Sequence, residues 1–210
     1  MIDIDNNTVS LDLFKNVLNL IKDKPESSQD VIDSFSDNQF KSKTKVLDYI
    51  GKLNVVTKKS EVVIFGSWYG SILISGLCDK VSRISCIDLD EQVLKIAKNR
   101  LFSHYNNVDY IASDVFDKKR HGRIMNADLI INPSCEHMPS MKTLDALKTS
   151  KAYFAFTSNN MYNIEGHINC VNSLEEFKDQ MPEHAKVLFE DEIKDTRGIR
   201  YMLVGKFMPL

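Results

Sequence analysis

The chain has 210 residues, of which 43% are hydrophobic and 27% are charged, and its formal net charge is −2. This length suits one large domain, or one domain with an appendage, and the composition is ordinary for a globular protein. A charge balance this close to neutral gives no general drive towards nucleic acid or an anionic membrane.

Neither a membrane span nor a secretory signal is indicated. No apolar run approaches the roughly 18–20 residues that a membrane span needs. Residues 1–7 are acidic and polar, unlike a secretory signal. Cys78 and Cys86 sit in apolar surroundings, and the spacing of the cysteines is not that of a disulfide framework. The cytoplasm is therefore the expected location, or the host cytoplasm if the protein is viral.

Residues 1–60 are predicted to form a helical extension that differs from residues 61–210. The apolar residues of a first helix recur at helical spacing: Leu11, Phe14, Val17, Leu18 and Ile21. Ser10 is positioned to cap this helix and Pro25 to end it. Further helices are predicted over 29–40 and from Val46 to Leu53. The extension would either cover one edge of a sheet or act as a substrate lid or partner-binding arm.

From Glu61 onward, strands and helices are predicted to alternate. The strands are Val62–Phe65, Arg83–Asp88, Val108–Ile111, Ala127–Ile131, Lys151–Phe156, Lys186–Glu190 and Ile199–Phe207. The helices are Gly70–Leu77, Asp90–Phe102, Met138–Leu147 and Ser173–Met181. A polar turn over 195–198 joins the last two strands as an antiparallel hairpin. The pattern predicts an α/β fold with a seven-stranded, mostly parallel sheet, helices on both faces and a C-terminal antiparallel hairpin.

A glycine turn follows the first strand. Gly66 ends the apolar run, and Gly70 follows four residues later, just before an apolar helix. Glycine tolerates a sharp turn and lets the backbone approach a ligand, while the helix N-terminus offers unpaired N–H groups. Strand, glycine turn and helix together are typical of nucleotide binding in α/β domains.

From Glu61 to the C-terminus the succession of elements resembles the class I S-adenosylmethionine-dependent methyltransferases, whose Rossmann-like sheet closes with an antiparallel strand. The resemblance implies S-adenosyl-L-methionine as cofactor and methyl transfer to a small molecule, a protein side chain or a nucleobase nitrogen. The runs 132–138, 158–162 and 166–170 also look like those of small methyltransferase-like proteins in phage and bacterial genomes.

The resemblance also implies which residues contact the cofactor. They follow the first four strands: Phe65, Gly66, Ser67, Trp68, Gly70, Asp88, Leu89, Ser113, Asp114, Val115 and Asn132. Asp88 would accept hydrogen bonds from the ribose hydroxyls, and Asp114 from the adenine amine while Val115 packs on the ring. Both aspartates also suit structural roles, Asp88 as a cap of the next helix and Asp114 in a turn.

Two residues depart from the family pattern. Ile64 stands where the family usually has an acid, and Trp68 replaces its middle glycine. A tryptophan lacks the backbone freedom of glycine, so its ring either walls the pocket or packs in the core above a rebuilt loop. The departures leave room for other transfers from S-adenosylmethionine, such as the aminocarboxypropyl transfer of nicotianamine-synthase-like relatives.

A second cluster, Asn132-Pro-Ser-Cys-Glu-His-Met138, follows the fourth strand. It resembles the Asn-Pro-Pro-Tyr motif of enzymes that methylate amide or exocyclic amino nitrogens, with Asn132 and Pro133 matching. Cys135 stands where that motif has its aromatic residue. Cys135 also resembles the nucleophilic cysteine of cytosine C5 methyltransferases, although a structural cysteine explains it as well.

The loop after the fifth strand is expected beside this cluster. His137 and His167 would then serve as general bases or orient the substrate, with Glu136 as their partner or as an amine binder. Simple loop hydrogen bonding is the alternative. Cys135, His137, His167 and Cys170 together would be a zinc set of unusual spacing, and no metal is the expectation.

The basic run over 118–123 is either a solvated loop or a phosphate contact, so nucleic acid is only weakly supported as a partner. Two other functions fit the predicted fold. One is a different S-adenosylmethionine-using or metal-assisted transferase. The other is a non-catalytic binding module that uses the N-terminal helices as its contact surface.

Overall fold

The computed structural model of the protein describes residues 10–208, so the acidic N-terminal stretch lies outside the described residues. Its centre is a seven-stranded sheet. The strands are β1 (Glu61–Phe65), β2 (Arg83–Asp88), β3 (Val108–Ala112), β4 (Leu129–Asn132), β5 (Tyr153–Asn159), β6 (Ala185–Asp195) and β7 (Gly198–Phe207). Their order is β3-β2-β1-β4-β5-β7-β6, with β1 to β5 parallel and β7 antiparallel to both of its neighbours. The predicted α/β class, seven strands and closing hairpin are confirmed.

Helices cover both faces of the sheet, as predicted. They are α1 (Leu11–Asp23), α2 (Ser28–Asp33), α3 (Asp37–Leu53), α4 (Ser71–Leu77), α5 (Glu91–Ile96), α6 (His121–Met125), α7 (Asp145–Lys148) and α8 (Leu174–Asp179). The first five pack in one apolar core and the last three in the other. Because both faces are covered, the central strands are apolar throughout, as in β1, where Val62 and Val63 point to opposite cores. Within 10–208, no helix combines the length and apolarity needed to cross a bilayer.

The N-terminal helices pack directly against the sheet. Val46, Leu47 and Ile50 of α3 are buried in the same core as β1 and β2. Tyr49 donates a hydrogen bond from its hydroxyl to Asp191 of β6 at 2.8 Å. The helical extension therefore shares its core with the sheet, whatever its role.

The apolar face predicted for the first helix is wrong. Leu11, Phe14 and Leu18 are exposed, whereas Leu13 and Leu20 are buried. The helix turns this other face inwards because it docks on the helical segment Ala97–Leu101 that follows α5. There Asn16 donates to the Leu101 carbonyl at 2.9 Å, and Asp23 pairs with Arg100 at 2.7 Å. Ser10 does cap the helix as predicted, accepting from the Leu13 amide at 3.1 Å.

The helix predicted over 29–40 is two helices, separated at 34–36. The Ser34 hydroxyl donates to the Val31 carbonyl at 2.7 Å and contacts the Ser71 hydroxyl at 2.7 Å. Such side-chain bonds compete with the helical backbone pattern, and the chain bends there. The second helix, α3, continues to Leu53 and ends at Asn54 in the left-handed conformation.

The helix predicted for Met138–Leu147 is also wrong. A short 3-10 turn, Met141–Thr143, and the single-turn α7 replace it. Pro139 disfavours helical backbone at Met138, which is extended with φ −124° and ψ 156°. The basic run over 118–123, in contrast, folds into a 3-10 turn and the start of α6.

Candidate active site

A cavity of about 570 Å³ opens at the carboxyl ends of the parallel strands. Ligands gather at this edge in open α/β sheets because the strand-to-helix loops converge there. The cavity is lined by these residues of the predicted site: Gly66, Ser67, Trp68, Asp88, Leu89, Ser113, Asp114, Val115, Pro133, Glu136, His137 and His167. The loops after β1, β2, β3, β4 and β5 thus meet at one site.

The loop after β1 is shaped by left-handed backbone conformations. Gly66, Trp68 and Gly70 have φ values of 52°, 48° and 67°. A Cβ on Gly66 would lie 2.8 Å from Cε of Met138, so the missing side chain keeps this edge of the cavity open. Trp68 therefore does adopt a conformation typical of glycine, against expectation, at a strain of about 1 kcal/mol.

The position of the Trp68 ring combines the two alternatives, a wall of the cavity and packing on the core. The ring lines the cavity and also packs against Tyr69, with 5.3 Å between ring centroids. Tyr69 is buried in the core beneath it. The tryptophan thus anchors the loop through its apolar contact while it offers the rest of its surface to the cavity.

Asp88 fixes the loop after β1 to the end of β2. Its Oδ2 accepts from the Trp68 amide at 2.7 Å, and its Oδ1 accepts from the Asp90 amide at 3.0 Å. Each oxygen keeps the capacity for one further hydrogen bond. The cap of α5 is Asp90, whose Oδ1 accepts from the amides of Gln92 and Val93, so Asp88 is not itself the helix cap.

An apolar wall lies between the two aspartates of the cavity. The side chain of Leu89 is 76% exposed, and it lines the cavity together with the buried Val115 and with Phe116. Asp114 accepts from the Phe116 amide at 2.9 Å, which forms a tight turn after β3. Exposed leucine beside carboxylates suits a ligand with a flat apolar ring and hydroxyl or amine donors.

Four residues predicted for the site do not line the cavity: Phe65, Gly70, Asn132 and Cys135. Phe65 is in the core, and Gly70 is the N-cap of α4. Asn132 is fully buried: its Oδ1 accepts from the Ser134 amide at 3.0 Å, and its Nδ2 lies 3.4 Å from the sulfurs of Met138 and Met141. Its amide is therefore committed to folding the loop and does not face an acceptor.

Cys135 is not placed to be a nucleophile. It is buried, and its Sγ lies 3.9 Å from the Asn132 carbonyl. Burial, and next the charge of Glu136, raise the pKa of its thiol well above the ordinary value. Because the thiolate is the reactive form, this buried position does not favour the nucleophile hypothesis, and Cys135 does not point towards the two histidines.

The far end of the cavity is built around a buried carboxylate. Oε1 of Glu136 accepts from Nδ2 of Asn159 at 2.6 Å and from Nη1 of Arg200 at 3.1 Å. From α3, Gln39 and Lys43 reach the same cavity, and the lysine ammonium donates to the Gln39 side chain. Burial, helped by Arg200 and opposed by Glu136, lowers the pKa of Lys43 to about 7.

The two histidines are held in matching orientations. Nδ1 of His137 lies 3.0 Å from the Gly166 carbonyl, and Nδ1 of His167 lies 2.9 Å from the Met161 carbonyl. Carbonyl oxygens only accept, so each Nδ1 carries a proton, and in the neutral form of either ring Nε2 holds the lone pair. The rings meet edge to face with centroids 4.5 Å apart. Burial is the main cause of the lowered pKa of His167.

Sequence reasoning missed several residues of the site. Gln39 and Lys43 lie on a helix whose pattern gave no functional signal. Asn159 was read only as part of a loop, although it ends β5. Arg200 carried a usable signal, because it is a charged residue beside the apolar run of β7. These residues come from parts of the chain that only the fold brings together.

No family model matches the sequence, and no curated protein matches it. Among solved structures, the chain is similar to the N-methyltransferase NodS from Bradyrhizobium japonicum WM9 in complex with S-adenosyl-L-homocysteine. That match has 11% identity and a TM-score of 0.65, and it covers 93% of this chain and 98% of NodS. The magnesium protoporphyrin IX methyltransferase ChlM from Synechocystis PCC 6803, with bound S-adenosylhomocysteine, matches at 10% identity and a TM-score of 0.59, covering 80% and 82% of the two chains.

TrmK of M. capricolum, in complex with S-adenosylhomocysteine, matches at 14% identity and a TM-score of 0.54, covering 77% of this chain and 67% of TrmK. These likenesses show that the chain has the fold of class I S-adenosylmethionine-dependent methyltransferases. The resemblance to phage proteins and the cytoplasmic location remain predictions.

Proposed function

We propose that the protein is a methyltransferase that binds S-adenosyl-L-methionine beside Asp88 and methylates an acceptor held at the Glu136 end of the same cavity. The observation that carries the proposal is the continuity of this cavity. One end of the cavity holds the Asp88 carboxylate and the apolar wall. The other end holds the two histidines and the buried ion pair of Glu136 and Arg200. The fold shared with methyltransferases that were crystallised with S-adenosylhomocysteine supports the same assignment.

The residues present fit the cofactor. The absent side chain of Gly66 leaves room against Met138, and Asp88 has hydrogen-bonding capacity for the ribose hydroxyls. Leu89, exposed despite its size, and Val115 would pack against the adenine ring, with Asp114 near its amine. A volume of about 570 Å³ is within the range of small-molecule sites.

When bound, S-adenosyl-L-methionine supplies an electrophilic methyl group. The chain's own residues would prepare the acceptor. As long as no metal ion occupies its Nε2, His167 in its uncharged form can take a proton from the acceptor atom that attacks the methyl group. The ion pair of Glu136 and Arg200 would orient polar groups of the acceptor, and Pro133 and Met138 would exclude water beside it.

Calorimetry with S-adenosylhomocysteine tests this proposal. We expect binding by the wild-type protein and a loss of about tenfold or more in affinity for Asp88→Ala, because a charged hydrogen-bond acceptor contributes about 1.5–3 kcal/mol. Glu91→Ala, on the exposed face of α5, is the matched control. Leu89→Ser provides a second variant, since its exposed side chain is not needed for folding. The proposal would be refuted if the wild-type protein does not bind S-adenosylhomocysteine. It would also be refuted if Asp88→Ala and Leu89→Ser both bind it as tightly as the wild type does.

A further inference from the structure

Three side chains of types that commonly bind metals converge at the far end of the cavity. The ligating atoms of Glu136, His137 and His167 all lie within 4.8 Å of one another. We infer that these three residues form a binding site for a divalent transition-metal ion. This site differs from the zinc set that was weighed from the sequence, where no metal was the expectation, because it uses Glu136 and neither Cys135 nor Cys170.

The histidines are oriented as metal ligands are. Both donate Nδ1–H to a backbone carbonyl, of Gly166 for His137 and of Met161 for His167. In metal sites, a bond of this kind at one ring nitrogen fixes the tautomer and leaves the other nitrogen with its lone pair for the ion. The edge-to-face contact of the rings keeps them close, with centroids 4.5 Å apart. The Nε2 atoms of both histidines are therefore held in place as potential metal ligands before any ion binds.

Glu136 supplies an acceptor atom that lacks a partner. Its side chain is buried, and Asn159 and Arg200 both bond to Oε1. Oε2 is shielded from solvent and has no hydrogen-bond partner among the described residues. A buried acceptor without a partner is costly, so this atom is an independent reason to expect that a cation binds here. Arg200, which holds Oε1, leaves Oε2 for the ion.

The two cysteine sulfurs do not face the Nε2 atoms that would bind the ion. The Sγ atom of Cys170 is 3.6 Å from Nδ1 of His167, on the ring edge opposite Nε2. Cys135 points to the Asn132 carbonyl instead. The protein therefore offers two nitrogen atoms and one carboxylate oxygen, and the remaining coordination positions would open to the cavity. This donor set suits zinc, iron, manganese or cobalt, whereas magnesium and calcium prefer oxygen ligands.

Metal titration of the full chain, stripped with a chelator, tests the inference. Zinc chloride is titrated by calorimetry, cobalt chloride by its visible absorption, and magnesium chloride serves as the comparison ion. The ligand variants are His137→Ala, which removes an exposed side chain, and His167→Ala. The matched controls are His104→Ala, an exposed histidine outside the cluster, and Cys170→Ser. Melting curves verify that every variant is folded.

We expect one zinc ion per chain. Each histidine variant should weaken zinc binding by about 100-fold, since losing an outer partner of a ligand already costs about 10–100-fold. His104→Ala and Cys170→Ser should bind zinc as the wild type does. Absence of stoichiometric zinc binding, unchanged binding by His137→Ala, or equal loss in the controls would overturn the inference. The titration needs no cofactor, so it can fail while S-adenosylhomocysteine still binds, and the reverse.

Discussion

The carboxylate of Glu136 and the guanidinium of Arg200 form a buried ion pair at 3.1 Å, with side chains only 3% and 12% exposed. Glu136 belongs to the loop after β4, and Arg200 to β7, the strand inserted beside β5. The pair therefore links the far end of the cavity to the last strand of the sheet. Its integrity should matter both for stability and for the shape of the site.

Arg200→Met should destabilise the protein by about 3 kcal/mol, because it leaves the carboxylate of Glu136 buried without its counter-ion. Urea unfolding followed by circular dichroism measures the change. Lys148→Met is the control, since it removes a solvent-exposed ion pair with Asp145 and should cost little. Equal losses in the two variants would show that burial of the Glu136 pair has no energetic weight.

Lys43 should make stability depend on pH. Its pKa is about 7 in the folded protein, against an ordinary value of 10.5. Between these two pH values the unfolded chain binds a proton that the folded protein does not, so stability rises with pH across this window. Below pH 7 the folded protein carries the whole cost of burying the charge.

The variant Lys43→Met should therefore melt at a higher temperature than the wild type at pH 6, and the difference should shrink towards pH 10. Thermal unfolding at several pH values measures it. The exposed Lys15→Met corrects for the general effect of removing one charge. The prediction would be contradicted if the difference in melting temperature between Lys43→Met and the wild type stays constant from pH 6 to pH 10.

Trp68 is the only tryptophan in the chain, and its half-buried ring lines the cavity. S-adenosylhomocysteine bound beside it should change its environment, so intrinsic fluorescence should shift or be quenched on titration. Trp68→Phe should abolish the signal and reveal the tyrosine background. Emission that stays unchanged at ligand concentrations that saturate the protein in calorimetry would place the ligand elsewhere.

Gly66→Ala and Gly122→Ala should change stability in opposite directions. Gly66 has a φ of 52°, which costs an alanine about 1 kcal/mol, and the new methyl group would also press on Met138. Gly122 lies in α6, where an added Cβ meets nothing within 4 Å, so alanine should stabilise the helix by up to about 1 kcal/mol. Denaturant unfolding of both variants checks the signs, and Gly66→Ala should in addition bind S-adenosylhomocysteine more weakly.

The sheet was largely predictable because its strands are short, continuous apolar runs bounded by turns. Val62–Phe65 was predicted to within one residue of β1. Helices that depend on tertiary contacts were less predictable. Phe14 and Leu18 suggested a face for α1 that the fold leaves in solvent, because docking on the segment 97–101 after α5 outweighs local hydrophobic periodicity.

The residues of the candidate site likewise fall into those that could be predicted from the sequence and those that could not. Asp88 and Asp114 could be predicted because they lie at or just beyond the carboxyl end of a strand, where ligands gather in α/β folds. Lys43 could not, since its helix carries no functional signal. Arg200 stood out as a charged residue beside an apolar run, but more than 150 residues separate it from Lys43, and only packing of α3 over β7 brings both to the cavity. Asn132 and Cys135 were assigned from motif position, which says nothing about the direction of a side chain.

The place of β7 between β5 and β6 has a consequence for biosynthesis. While a ribosome makes the chain from its N-terminus, β5 has no partner on one side until residues 198–207 have emerged. The nascent chain thus carries an open strand edge next to an uncompensated Glu136 carboxylate, a state prone to pairing with other chains. We expect a chain truncated before β7 to aggregate, because the edge of β5 would stay unpaired. Pairing of β7 with β5 thus completes the sheet and covers this edge.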